Sequence, residues 1–127
     1  MCGNAPTQYM LACKYAGGTN YRGFDIANHW NEWAGGTREQ DNGRCDYARF
    51  PSPDQQLAFA RACQTQATGS TKGAEALVQE AGMFVLVNHW HWGLWALDRA
   101  VEEGTREFDH LTCAQQRIGR CFESVGR

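Results

Sequence analysis

Basic residues are not in excess: 12 Lys and Arg stand against 14 Asp and Glu, a formal net charge of −2, and they are scattered rather than clustered. Nucleic acid and anionic membrane surfaces are bound through concentrated positive charge, so neither partner is expected. Long apolar runs are missing as well. The longest stretch, Met83 to Leu97, is interrupted by Asn88, His89 and His91. A bilayer needs roughly 20 largely apolar residues, so this stretch reads as a buried helix and not as a membrane span. Met1 to Met10 has neither a basic start nor an apolar run of leader length, which points to a cytoplasmic setting. The cysteines, Cys2, Cys13, Cys45, Cys63, Cys113 and Cys121, lack CxxC spacing. Without an export signal, free thiols are expected. No GxGxxG, P-loop, HExxH or GxSxG motif is present, and Gly17-Gly18 and Gly35-Gly36 are isolated pairs. Nothing in these residues cradles a triphosphate, and no catalytic residue is assigned from them.

The chain has 127 residues and 43% hydrophobic content, a common size for one domain with a modest core. The patterning is mainly helical. A short apolar piece, Met10 to Tyr15, suits a strand or hairpin remnant ending in the turn Ala16 to Asn20. A helix is expected over Phe24 to Trp33, with Ile26, Trp30 and Trp33 on one stripe and Gly35-Gly36 ending it. Residues 37–50 and 67–73 read as loops, the first with a turn at Asp41-Asn42-Gly43. Between them, Ser52-Pro53-Asp54-Gln55 starts a helix: Ser52 caps, Pro53 fits the first position and Gln55 completes a capping box. That helix should run to about Gln66, with a narrow buried face at Leu57, Ala60 and Arg61. A long helix follows from Ala74 to about Glu103, apolar on nearly all faces between Phe84 and Leu97, which implies burial on several sides. The last helix, Phe108 to Phe122, places Phe108, Leu111, Gln115, Ile118 and Phe122 on one stripe.

Within the long helix, Trp92-Gly93-Leu94-Trp95 sets two indoles three positions apart, hence on one face, with small Gly93 leaving room for a close approach. Indole faces attract cations, by ~0.5–2 kcal/mol per face once desolvated. The spacing alone fits an ordinary core pair better, since aromatics dominate cores. His89 and His91 stand two apart and point to different faces, which is poor geometry for a shared metal, so no metal site is assigned.

Three segments in order resemble one family. They are Lys14 to Trp33, containing Tyr15 and then Asn20-Tyr21-Arg22-Gly23-Phe24-Asp25-Ile26-Ala27-Asn28-His29-Trp30-Asn31-Glu32-Trp33; Tyr47-Ala48-Arg49-Phe50-Pro51-Ser52-Pro53 through Leu57; and Asn88-His89-Trp90-His91-Trp92-Gly93-Leu94-Trp95-Ala96-Leu97. Together they look like the C-terminal part of the choline/ethanolamine kinases, a branch of the protein-kinase-like fold, over roughly Met10 to Phe122. The resemblance implies a single partial domain over 1–127, a partial C-terminal lobe of that fold. Complete members phosphorylate ethanolamine or choline with ATP and Mg²⁺, at the start of phosphatidylethanolamine and phosphatidylcholine synthesis. It implies further that Tyr15, Glu32, Trp92 and Trp95 hold the substrate ammonium, with the wording around Asn28 to Gly35 and Trp92 to Leu97 nearer to ethanolamine kinases.

The sequence also departs from the family. Aligned on Tyr15, the Asp, aromatic and Glu that open the family's signature fall at Ala12, Cys13 and Lys14, and the Asp is the magnesium ligand. The family's catalytic loop, of the form His-Asn-Asp followed by an Asn, and its ATP lobe find no match. Two aromatics of the family's last helix fall at His110 and Cys113, although Phe108 is kept. Phosphoryl transfer depends on metal and positioned charge, so this polypeptide alone is expected to be inactive and to hold no cofactor. The alternative expectation is an inactive interaction module, docking on a kinase-family partner through its apolar helix, or a truncated gene product.

Overall fold

The computed structural model describes residues 21–103 and 107–125, so the expected strand or hairpin at Met10 to Tyr15 lies outside the described residues. Among the described residues there are four α-helices and no strand. They are α1 (Arg22–Trp33), α2 (Pro53–Thr68), α3 (Ala74–Glu103) and α4 (His110–Val125), with a 3-10 turn at Tyr47–Arg49 and an isolated antiparallel bridge between Gly35 and Cys45. The chain divides into two compact units, Met1–Trp30 with Pro51–Val85, and Asn31–Phe50 with Leu86–Arg127.

In the first unit the core is aromatic and small aliphatic. Ile26 and Trp30 of α1 are buried, as their stripe predicts, together with Ala27, Phe59, Ala60, Leu77 and Ala81. The Phe59 ring stacks on His29 at 5.0 Å between centroids and meets Trp30 edge-on at 6.1 Å. The start of α2 follows from its own residues: the Ser52 hydroxyl accepts from the Gln55 N–H at 3.3 Å, and the Gln55 side chain accepts from the Ser52 N–H at 2.8 Å. The helix runs two residues past Gln66 and ends where Gly69 turns left-handed at φ 75°, so the loop expected over 67–73 begins only there. Its buried face differs from the expected one. Phe59, Ala60 and Cys63 go inward while Arg61 is exposed and Leu57 only half-buried, because an aromatic ring with two ring partners buries more area than Leu57. Cys63 is disulfide-bonded, which corrects the expectation of free thiols at that residue, whereas Cys45, Cys113 and Cys121 are free. Gly23 allows the close approach of Phe84, whose ring would stand 2.7 Å from any Cβ there.

In the second unit the segment 37–50 is more ordered than a plain loop. Asp41 accepts from the Arg38 guanidinium at 2.7 Å and from the Gly36 N–H at 3.1 Å. Asn42 and Gly43 both take positive φ, 45° and 89°, as the expected turn requires. A side chain on Gly43 would put its Cβ 2.5 Å from the Asp109 carbonyl. The segment is tied to α4 and the residue before it by three hydrogen bonds: Asp109 N–H to the Asn42 side chain at 2.9 Å, Cys45 N–H to the Gln116 side chain at 3.3 Å, and the Tyr47 hydroxyl to the Gln116 carbonyl at 2.9 Å.

Two helices in this unit depart from the sequence reading. α4 buries Cys113, Ala114 and Arg117, whereas Leu111, Gln115 and Phe122 are exposed. α3 turns Asn88, His89, Gly93 and Ala96 inward and leaves Val87, Trp90, Leu94 and Leu97 outside, so it is not buried on several sides. Small residues win the inner face because they let helices approach; a Cβ on Gly93 would lie 2.6 Å from Ile118 of α4. The close neighbour that Gly93 accommodates is therefore this helix.

Candidate functional site

Of the residues to which the resemblance assigns the ammonium, Tyr15 lies outside the described residues, and Glu32, Trp92 and Trp95 all belong to the second unit. Trp92 and Trp95, one helical turn apart on α3, meet edge to face with centroids 5.6 Å apart. Trp92 is half-buried and Trp95 is 45% exposed, so the pair is not sealed in packing. The cluster extends to the start of α4: Trp95 meets His110 at 5.6 Å, and His110 meets Phe108 at 4.8 Å. His110 thus stands within an aromatic cluster, with its Nε2 3.3 Å from the Glu103 carboxylate and its buried Nδ1 without a hydrogen-bond partner among the described residues. Cys113 packs instead with Ala96 and Ala114.

Glu32 sits one residue before the end of α1, where the chain turns into the segment 37–50. Its carboxylate accepts from the Thr37 hydroxyl at 2.9 Å and from the Arg117 guanidinium at 3.3 Å. Arg117 is 1% exposed, and its other arm lies 3.4 Å from His89 Nδ1, which receives the N–H as a neutral ring. The Tyr47 ring abuts His89 edge-on at 5.6 Å and carries the Arg120 guanidinium over its face at 4.7 Å. Glu32 therefore already has a resident cation, and sequence reasoning did not find it. The signal was present: an arginine on the stripe Cys113-Ala114-Arg117 of small residues needs an anion if that face is buried.

Burial, with Arg117 and Arg120 nearby, pushes the His89 imidazole down to about 3. The native ring is neutral near neutral pH, while the unfolded ring takes up its proton around 6.5, so the unfolded state binds more protons below that value. Stability is complete above about pH 6.5 and falls as the pH drops, by about 2 kcal/mol at about pH 5. His29, also pushed down by burial, adds a contribution of the same sign. Urea unfolding between about pH 7 and about pH 5 should show this slope, and His89→Gln should remove its share; an unaltered slope in that variant places the titration elsewhere.

Comparison with known proteins follows the same outline. A family model described as choline/ethanolamine kinase matches residues 12–122. Ethanolamine kinase 2 of Rattus norvegicus is 35% identical over 87% of this chain and 27% of its own length. Human choline/ethanolamine kinase is 32% identical over 98% of this chain and 33% of its own. A probable ethanolamine kinase of Arabidopsis thaliana is 33% identical, over 81% and 26%. The chain thus spans about a quarter to a third of the length of these relatives. No solved structure matches it. With the match reaching from residue 12 to residue 122 and relatives alike in sequence from mammals to a plant, the chain belongs to the choline/ethanolamine kinase family.

Proposed function

We propose that this chain forms the amino-alcohol-binding part of an ATP-dependent ethanolamine or choline kinase, a partial C-terminal lobe of a kinase-like fold, and that alone it transfers no phosphoryl group. The observation that supports this reading is the edge-to-face pair Trp92 and Trp95, with Trp95 open to solvent. An ammonium against these faces gains cation–π attraction, and Glu32, with a side chain 39% exposed, supplies Coulomb attraction. Tyr15 completes the set by resemblance. A primary ammonium suits the site better than a trimethylammonium, because it can donate hydrogen bonds to Glu32 and loses less from the aromatics replaced at His110 and Cys113. The absence of phosphoryl transfer is inferred from Ala12, Cys13 and Lys14 at the magnesium-ligand end of the signature, and from the lack of any phosphate-cradling motif in these residues.

Tryptophan fluorescence titrated with ethanolamine and with choline tests the pocket. Saturable change is expected for ethanolamine, and Trp95→Ala should weaken it by about 2- to 30-fold, the equivalent of one cation–π face. A flat signal with both amines in folded protein removes the pocket. Phosphoethanolamine formation from ATP above background by the purified chain removes the claim of inactivity.

A further inference from the structure

His110 is the polar member of the aromatic cluster at the start of α4. Its side chain is 12% exposed, and two rings meet it, Trp95 at 5.6 Å and Phe108 at 4.8 Å between centroids. Its Nε2 lies 3.3 Å from the Glu103 carboxylate, whereas Nδ1 is closed to solvent and has no hydrogen-bond partner among the described residues. A neutral imidazole has one N–H and one lone pair, so with the N–H turned to Glu103 the lone pair falls on Nδ1. A buried acceptor left without a donor destabilises the free protein, and a ligand that brings a donor recovers that loss on binding.

Two observations make an ammonium the fitting donor. A cation sits within about 6 Å of an indole centre, and His110 stands 5.6 Å from Trp95, so a cation against Trp95 has the imidazole as its neighbour. Trp95, 45% exposed, has room to turn aside and admit it. Glu32 is brought toward the same place. Arg117, which donates to the Glu32 carboxylate, follows His110 on α4 by two turns, about 10 Å of rise, on the same face. Long side chains on a helix lean toward its N-terminus, which carries the guanidinium and the carboxylate it holds toward the His110 end.

On the reading that Trp92, Trp95 and Glu32 hold the ammonium, on which this rests, we propose that His110 determines which amines the site takes. Its Nδ1 accepts one N–H of a protonated amino alcohol while Glu32 accepts another, so the ligand must carry two N–H groups, as primary and secondary amines do. Protonated ethanolamine offers three, N-methylethanolamine two, N,N-dimethylethanolamine one and choline none. Where the resemblance places an aromatic wall, His110 supplies an acceptor and selects against repeated N-methylation.

Tryptophan fluorescence titrated with these four amines at about pH 8, where imidazoles are ordinarily neutral, tests this. The expected result is a fall in affinity of about tenfold between N-methylethanolamine and N,N-dimethylethanolamine, the step at which one acceptor loses its donor. His110→Phe keeps a ring against Trp95 and Phe108 but has no acceptor, and should reduce that step to less than about twofold. His110→Asn, whose side-chain carbonyl takes the place of Nδ1, should keep the step. Should His110→Phe fail to fold by far-UV circular dichroism, the unaltered chain and His110→Asn decide the matter. A series without the step in the unaltered chain, an undiminished step in His110→Phe, or its loss in folded His110→Asn each overturns the role of His110 while leaving the pocket. A flat signal with all four amines in folded protein removes the pocket and the role of His110 together.

Discussion

Trp30→Ala is expected to lower the unfolding free energy by about 3–5 kcal/mol, the range for removing a large aromatic from a closed core. Trp30 is 1% exposed, and its ring contacts Phe59, which is buried to the same degree. The loss is a large share of the ~5–15 kcal/mol that a domain of this size has in total. Trp30→Phe should cost much less than its lost volume suggests, because the indole Nε1–H is buried without a hydrogen-bond partner among the described residues. Deleting that unsatisfied donor recovers about 1–3 kcal/mol of desolvation and offsets most of the cavity created by the smaller ring. Phe59→Ala should be non-additive with Trp30→Ala, since the two rings share one contact. Urea unfolding followed by far-UV circular dichroism checks all three. If Trp30→Phe is as damaging as Trp30→Ala, the indole nitrogen has a partner and the argument fails.

What the sequence disclosed divides along a physical line. The start of α2 was readable because its determinants, Ser52, Pro53 and Gln55, act within one turn. The Trp92–Trp95 contact was readable for the same reason: three residues along a helix bring two side chains to one face whatever surrounds them. Buried faces were another matter. The stripe Leu111, Gln115, Ile118 and Phe122 obeys the usual preference for apolar residues inside, yet α4 buries Arg117, whose carboxylate partner lies 85 residues away. In α3 the apolar residues between Phe84 and Leu97 implied burial on several sides, but only one side, with small Gly93 and Ala96 and hydrogen-bonded Asn88, faces inward. Periodicity reports that a helix has two faces; which one faces inward was decided by long-range partners and by how closely α4 approaches.

Arg117→Ala should be the most damaging single change in the second unit, at about 3–5 kcal/mol, and the reason is what it strands. The deletion empties a buried volume, leaves His89 Nδ1 without its donor and releases Glu32. Arg117→Met separates these effects. It refills the volume, and Glu32, 39% exposed, can turn its carboxylate to water, so the remaining cost is one orphaned imidazole acceptor, about 1 kcal/mol. Glu32→Gln acts from the other end. It leaves a guanidinium whose side chain is only 2% exposed without its anion, and a buried charge cannot turn to water. Breaking a fully buried pair costs about 3–5 kcal/mol; with one partner partly solvated, about 2 kcal/mol is expected. The predicted order is therefore Arg117→Ala, then Glu32→Gln, then Arg117→Met, with the charge-deleting methionine milder than the isosteric glutamine. In the amine titration Arg117→Met should tighten ethanolamine binding, because Glu32 no longer shares its charge with a resident cation, whereas Glu32→Gln should weaken it. Weaker ethanolamine binding by a folded Arg117→Met protein would mean that Arg117 orients the carboxylate toward the ligand and does not compete with it.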